Sequence, residues 1–454
     1  LVNSNSNLIK RFFFYFGKKD DIFSFSLPSK WLKIIYQNKI KVNFFKSKIF
    51  WISYILYRYF CGVGTFIKLV AKYISNKIDK DYQYNHLISN NYSIFCGFDS
   101  NERHTSLIEY HKKLQLKDNI IFAGYGNKIK KDNYLNHNPY EIFLKRLNIF
   151  KFIFYFIKFQ ILIFLNLFCF KWGHALLLDE LVLSSLVKAS SHKLPNKLYF
   201  VWYSNTFKPL WVEELEKKGV DVNLYFNASI NNLSESNEEL QPIENIGLKI
   251  YTWKNYISWN SYLEEILKKK TNFKFNFIKI DFLSLEKYNK SISLLKQKLD
   301  NQNYLIVFPY FNPKNHHGIE KLAEYLYRKD NILENFIDDI IYANSNTNFK
   351  IVVNKKINLI NKEYKKIQKF YENLKDKNIT VIEGEIDIFS LINHSVASIS
   401  LPFTSTALFA EKLKIKSIYY DPLNYVNKKD IFAQGISLIS DKENLKKFLD
   451  TLNN

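Results

Sequence analysis

Methionine is absent from the 454 residues, which open on Leu-Val, and there are only three cysteines, twelve glycines and nine prolines. Cys61, Cys96 and Cys169 lie far apart, with no Cys-x-x-Cys pair and no Cys/His spacing of a zinc site. They read as reduced thiols of a cytosolic protein, in the core or facing a membrane, and no disulfide is expected. No Pro/Gly-rich linker interrupts the chain, and no segment repeats at a fixed period. Walker A, Gly-x-Gly-x-x-Gly and Gly-x-Ser-x-Gly sequences are also missing. Their absence argues against P-loop kinases, dinucleotide enzymes and α/β-hydrolases. After Lys10 and Arg11 the apolar run to Phe16 meets Gly-Lys-Lys-Asp-Asp instead of a small-residue cleavage site, so no signal peptide is expected.

Apolar residues are abundant. They make up 47% of the chain and aromatics 17%, enough for two or three domains with large cores. The net charge is +22, mostly from dispersed Lys. Such a chain is drawn to an anionic membrane surface or to phosphorylated small molecules. No nucleic-acid partner is expected, because dense Arg clusters and zinc-finger or RNP-type motifs are absent.

Residues 1–85 form a basic, aromatic region with helical patterning over Trp31–Ile40 and Lys48–Ile74. Arg58 and Lys68 interrupt the second stretch, which reads as an amphipathic or core helix, not a clean span. Residues 86–245 read as a first Rossmann-like unit: strands Tyr92–Asp99, Ile120–Gly126, Leu198–Tyr203 and Val222–Phe226, with helices Glu102–Leu116 and Pro209–Lys218. An apolar insertion, 147–178, interrupts it. Lys151, Lys158 and Lys171 punctuate the insertion, and Trp172 follows the last of them. Three readings stay open: a helix or hairpin lying in a membrane surface, a buried core helix, or a true span. Ile230–Asn245 is polar, a loop or linker, and Tyr251–Lys270 reads as an amphipathic helix. Residues 246–454 form the second Rossmann-like unit, with strands at Phe277–Asp281, Tyr304–Pro309, Lys350–Val353 and Thr380–Glu383.

The most informative stretch is SVASISLPFTSTALFAEKLKIKSIYYD, residues 395–421. It reads as a strand, a hydroxyl-rich turn, a helix and a second strand. Thr404, Ser405 and Thr406 fall at the helix N-terminus, where free amides and the helix dipole favour a phosphate. The same hydroxyls are also ordinary helix caps.

Pro402, Phe403, Thr404 and Ser405 spell the sequence that names the bacterial surface-polysaccharide biosynthesis PFTS-motif proteins, and the chain resembles that family. Phe200–Gly219 resembles the family's middle region, and Tyr251–Asn260 does so weakly. The resemblance implies a GT-B-like fold of two Rossmann-like domains and a part in making surface glycans. The expected activity is metal-independent transfer of a sugar from a nucleotide-sugar donor to a surface-polysaccharide or lipid-linked glycan acceptor. The alternatives are a non-catalytic assembly or export partner and a GT-B-like sugar-nucleotide epimerase. No cofactor is expected beyond the nucleotide-sugar itself. The expected location is the cytoplasmic membrane surface, on its inner face. No Asp-x-Asp sits at a strand end as a metal-dependent GT-A enzyme would place it, and Asp338 and Asp339 fall in a helical pattern.

Expected donor contacts are Pro402, Phe403, Thr404, Ser405, Thr406, Glu411, Lys314, His316 and Lys355. Glu411 would meet the ribose hydroxyls, as a carboxylate of this domain does in GT-B enzymes. Lys314 and His316 follow a strand end and would neutralise a diphosphate. The base that accepts the acceptor's hydroxyl proton is sought among Asp99, His174 and Asp179, none of which has a specific motif. Tyr203, Ser204 and Asn205 end a strand and are candidates for lining the site.

Overall fold

The computed structural model describes residues 44–75, 91–96, 105–114, 119–123, 134–135, 139–168, 172–201, 208–226, 252–271, 273–282, 292–299, 302–309, 332–355, 364–382, 386–424 and 426–452. In the first half these are helix α1 (Phe44–Ile74), β1 (Tyr92–Cys96), α2 (Thr105–Lys113), β2 (Asn119–Ala123), β3 (Tyr134–Leu135), α3 (Ile149–Phe168), α4 (Gly173–Leu176), α5 (Leu178–Ala189), β4 (Lys197–Val201), α6 (Leu210–Lys217) and β5 (Asp221–Phe226). Next come β6 (Asn255–Ser258), α7 (Tyr262–Lys270), β7 (Asn276–Lys279), α8 (Ile292–Leu299), β8 (Tyr304–Phe308), α9 (Ile332–Ala343) and β9 (Lys350–Asn354). The chain finishes with α10 (Tyr364–Asp376), β10 (Thr380–Ile382), α11 (Ile388–Asn393), β11 (Ala397–Ser400), α12 (Ser405–Lys412), β12 (Lys416–Tyr420), β13 (Ser437–Ile439) and α13 (Lys442–Asp450).

The strands form two wholly parallel sheets. One is seven-stranded, in the order β3-β2-β1-β4-β5-β6-β7; the other is six-stranded, β10-β9-β8-β11-β12-β13. Parallel sheets need both faces covered, and their strands read as unbroken apolar runs instead of alternating ones. YSIFC in β1 and YLIVF in β8 are buried at every position. Each sheet starts in the middle, adds two strands to one side, then crosses back and continues on the other. That is the Rossmann order, and it leaves one switch point per sheet: between β1 and β4, and between β8 and β11. The expected two Rossmann-like units are therefore present.

Three details differ from the sequence reading. Tyr251–Lys270 is not one helix: Asn255–Ser258 pairs with Asn223–Phe226 as β6, and the helix begins at Tyr262. All four residues of β6 are buried, so they show no strand alternation, and the following helix extends their apparent periodicity. Because β6 and β7 complete the first sheet, the segment 252–279 belongs to the first unit, beyond the expected boundary at 246. Strand β13 went unread, being three residues long and only partly covered. The linker reading of Ile230–Asn245 and the helix over Trp31–Ile40 lie outside the described residues.

The basic N-terminal region and the apolar insertion join in one helical layer. Helices α1 and α3 both pack on α5. They run antiparallel, since Phe66 stacks on Phe156 at 3.8 Å while Tyr59 Oη donates to Gln160 Oε1 at 2.8 Å. Arg58 of α1 makes an ion pair with Asp179 of α5, and Lys72 with Glu141. Gly62 is where α1 meets the start of α5: a Cβ there would come within 2.6 Å of Leu178.

The two units meet through aromatic rings. Phe409 of α12 packs on Trp259 at 5.5 Å and on Phe282 at 5.8 Å, and Phe389 of α11 packs on Phe282 at 6.0 Å. Beside them the Asn260 amide donates to Gln434 Oε1, with both side chains buried. Trp259 and Asn260 directly follow β6, so a carboxyl end of the first sheet faces the second unit.

Candidate nucleotide site at the second switch point

Strand β11 ends at Ser400, and the chain turns through Leu401, Pro402 and Phe403 before α12 begins. Proline followed by a left-handed residue is the pattern of a type II turn, which favours glycine at the second of these positions. Here that position is Phe403, at φ 63°. A bulky residue held there costs on the order of 1 kcal/mol or more of backbone strain. The ring offsets it. Phe403 is buried against Tyr419 at 5.7 Å and Phe432 at 6.4 Å. Tyr419 Oη also donates to the Thr404 carbonyl at 3.0 Å. Burial drives that phenol's pKa far above its ordinary value of 10.0, so it stays a donor.

Thr404 occupies the cap position of α12, but its side chain makes no cap hydrogen bond. Its Oγ1 lies 3.0 Å from Thr406 Oγ1, which lies 3.0 Å from Ser400 Oγ. Two hydrogen bonds join three hydroxyls, so one O–H proton is not consumed within the ladder. The ordinary cap reading of Thr404 therefore does not hold. Ser400 is the member that sequence reasoning missed; its signal was its place at the last strand position before the turn.

The neighbouring carboxyl ends point to the same edge. After β12, Asp421 is fully buried and accepts from the amides of Leu423 at 3.2 Å and Val426 at 2.8 Å. After β9, the Lys355 amide donates to the Ile382 carbonyl, and its Nζ lies 5.6 Å over the Tyr371 ring. Lys355 is half-buried, Pro402, Ser405 and Thr406 are partly covered, and Glu411 is exposed on α12. The edge thus offers helix amides, hydroxyls and a lysine around one switch point, groups that suit a phosphate-bearing ligand. Lys314 and His316, which follow β8 in sequence, lie outside the described residues, as do Asp99, Tyr203, Ser204 and Asn205.

The other base candidates sit in the helical layer. Asp179 is held by Arg58 where α1 packs on α5. Asp179, expected as a base, is thus committed to a guanidinium within the packing of the helical layer. His174 Nδ1 lies 2.9 Å from the Asn166 amide nitrogen, a pairing that suits a neutral ring with its proton on Nε2. Burial lowers its pKa below 6.5, in keeping with that state. The adjacent Glu180 is buried and accepts the Leu210 amide at the start of α6, at 3.2 Å.

The sequence model of the polysaccharide biosynthesis PFTS motif proteins matches residues 155–449. The chain belongs to that family. None of the curated proteins matches it. Among solved structures it is similar to the Methanocaldococcus jannaschii UDP-GlcNAc 2-epimerase in complex with UDP-GlcNAc and UDP, at 13% identity and TM-score 0.42, covering 80% of this chain and 93% of that one. Anabaena HepE in complex with UDP-glucose is similar at 11% identity and TM-score 0.41, covering 80% and 90%. Medicago truncatula UGT71G1 complexed with UDP-glucose follows at 9% identity and TM-score 0.38, covering 82% and 91%. Overlaps this loose carry no functional weight; the fold rests on the strand order.

Proposed function

We propose that the protein is a glycosyltransferase of surface-polysaccharide synthesis, taking a sugar from a nucleotide-sugar bound at the β8–β11 switch point. The observation that carries this is the turn after β11. A strained, ring-locked Phe403 starts α12 with a cap threonine whose hydroxyl is turned to the Thr406 hydroxyl instead of capping a helix amide. Membership of a polysaccharide-biosynthesis family supplies the substrate class.

In this reading the diphosphate lies against the start of α12. As the bond from sugar to phosphate breaks, negative charge grows on the departing nucleotide. The helix dipole, Ser405 and the hydroxyl ladder stabilise it in place, and Lys355 lies on the same edge. Glu411 serves the ribose hydroxyls. The base that takes the acceptor's hydroxyl proton comes from the first unit. Asp99 is the preferred group, since in sequence it comes soon after β1, a strand that borders that sheet's own switch point.

The test is a thermal-shift and calorimetric screen of the full chain with UDP, GDP, CMP and their sugar conjugates. One nucleotide class should raise the melting temperature by mass action. Thr404→Val/Thr406→Val should weaken its binding by about tenfold or more, the worth of one or two charge-assisted hydrogen bonds. Release of that nucleotide on addition of a glycan acceptor then identifies transfer. A folded protein that binds none of these nucleotides would be a non-catalytic assembly partner.

A further inference from the structure

We infer that α1 and α3 together form a docking face that lies flat on an anionic lipid bilayer. Large apolar side chains are exposed mainly there. Among the described residues, Ile49, Leu56, Tyr57, Phe60, Ile67 and Ile74 stand out on α1, and seven more on α3; three lie elsewhere. Contiguous apolar surface of this extent marks an interaction site. On α3, Phe150, Phe154, Ile157, Ile161, Phe164 and Phe168 follow helical spacing and form one stripe. Phe152, Phe159 and Ile163 form the opposite, buried face.

Charge names the occupant. Neither helix contains an Asp or Glu. Helix α1 carries Lys46, Lys48, Arg58, Lys68 and Lys72, and α3 carries Lys151 and Lys158. At 100° per residue, Lys151 and Lys158 fall about 80–100° round the helix from the stripe, on one flank. Lys68 is offset in the same way from the α1 stripe. All three are exposed. Lysines flanking an apolar stripe reach headgroup phosphates while the stripe enters the acyl boundary.

The packing distinguishes lying flat from crossing. Helix α3 is long and apolar enough to span a membrane, and only 17% of its 18-residue apolar window is buried. Yet its inner side is tied to the protein at several points. Asn166 bonds His174, α3 packs along α5, and Gln160 and Phe156 meet Tyr59 and Phe66 of α1, which Arg58 in turn anchors to Asp179 of α5. Crossing would break these contacts and carry Lys158 toward the bilayer centre.

The experiment is co-sedimentation of the full chain with phosphatidylcholine vesicles, with and without phosphatidylglycerol. Binding should rise at least about tenfold with the anionic lipid, and Lys151→Glu/Lys158→Glu should cancel that gain. Phe154→Asp/Ile161→Asp/Phe168→Asp should abolish binding, with circular dichroism and nucleotide binding unchanged. A fluorophore on Ile161→Cys, in a Cys61→Ser/Cys169→Ser background, reports depth; Cys96 is buried, with its thiol pKa pushed up, and escapes labelling. Quenching should be strongest from upper acyl positions. Strongest quenching from the bilayer centre overturns the proposal in favour of a span. A chain that ignores both vesicles but forms a dimer broken by the triple variant overturns it in favour of a second copy. Vesicle binding unchanged in the triple variant also overturns it.

Discussion

The first unit carries a helical layer whose outer side is apolar and exposed, whereas the second sheet ends in a partly covered turn lined with hydroxyls. Both sheets have the same strand order. In the first unit, the long insertion between β3 and β4 joins α1 to make a layer that is finished on its inner side only. In the second, the α11–β11–α12–β12 run is compact, with left-handed backbone at Phe403 before α12 and at Lys414 after it. One scaffold thus meets two surroundings: an apolar slab suits a lipid phase, and a tight polar turn suits an anion.

The comparison breaks hardest at Phe403. Phe403→Ala removes the ring that holds the turn and should cost about 3–5 kcal/mol, read as a lower urea midpoint, with nucleotide binding lost even where the variant folds. The counterpart in the helical layer is Asp179→Ala, which strands Arg58 between α1 and α5. A loss of about 3 kcal/mol is expected, while Arg58→Met/Asp179→Leu should recover most of it. Because Asp179 lies in the layer and not at the edge, Asp179→Ala should leave nucleotide affinity unchanged by calorimetry.

The smallest effect is on pH. Burial depresses the pKa values of His174 and His192 below 6.5, so the unfolded chain binds more protons than the folded one as pH falls through that value. The contribution of each neutral imidazole is full above pH 6.5 and declines below it. Thermal melts from pH 7.5 to 5.5 should therefore fall more steeply in the parent than in His174→Asn, with the onset near the ordinary pKa of histidine.

Much of this was legible in the sequence. The strands β1, β4, β5, β8, β9, β11 and β12 announce themselves as short apolar runs followed by helical periods, and a helix was expected over most of α1. The hydroxyl turn was legible because Thr404, Ser405 and Thr406 adjoin a strand end. What was not legible was tertiary. Nothing in LYFVWY or SISLPF tells that each strand lies next to a switch point, because strand order is set by packing across distant segments. The ion pair of Asp179 could not be read from the sequence, because Arg58, its partner, stands 121 positions away. Ser400 looked like one more strand residue until Thr406 folded back beside it. The short buried strand β6 was absorbed into the periodicity of the helix after it.

The four letters that name the motif divide into a frame and a payload. Pro402 and Phe403 set the geometry: one presets a backbone angle, and the other wedges a ring between Tyr419 and Phe432. Thr404 and Ser405 are what the frame holds out. Substitution should obey different grammars in the two halves. In the payload, any side chain with a hydroxyl at the right reach preserves meaning. In the frame, the wedge and its socket have to change together, so a smaller residue at 403 is readable only alongside bulkier partners at 419 or 432.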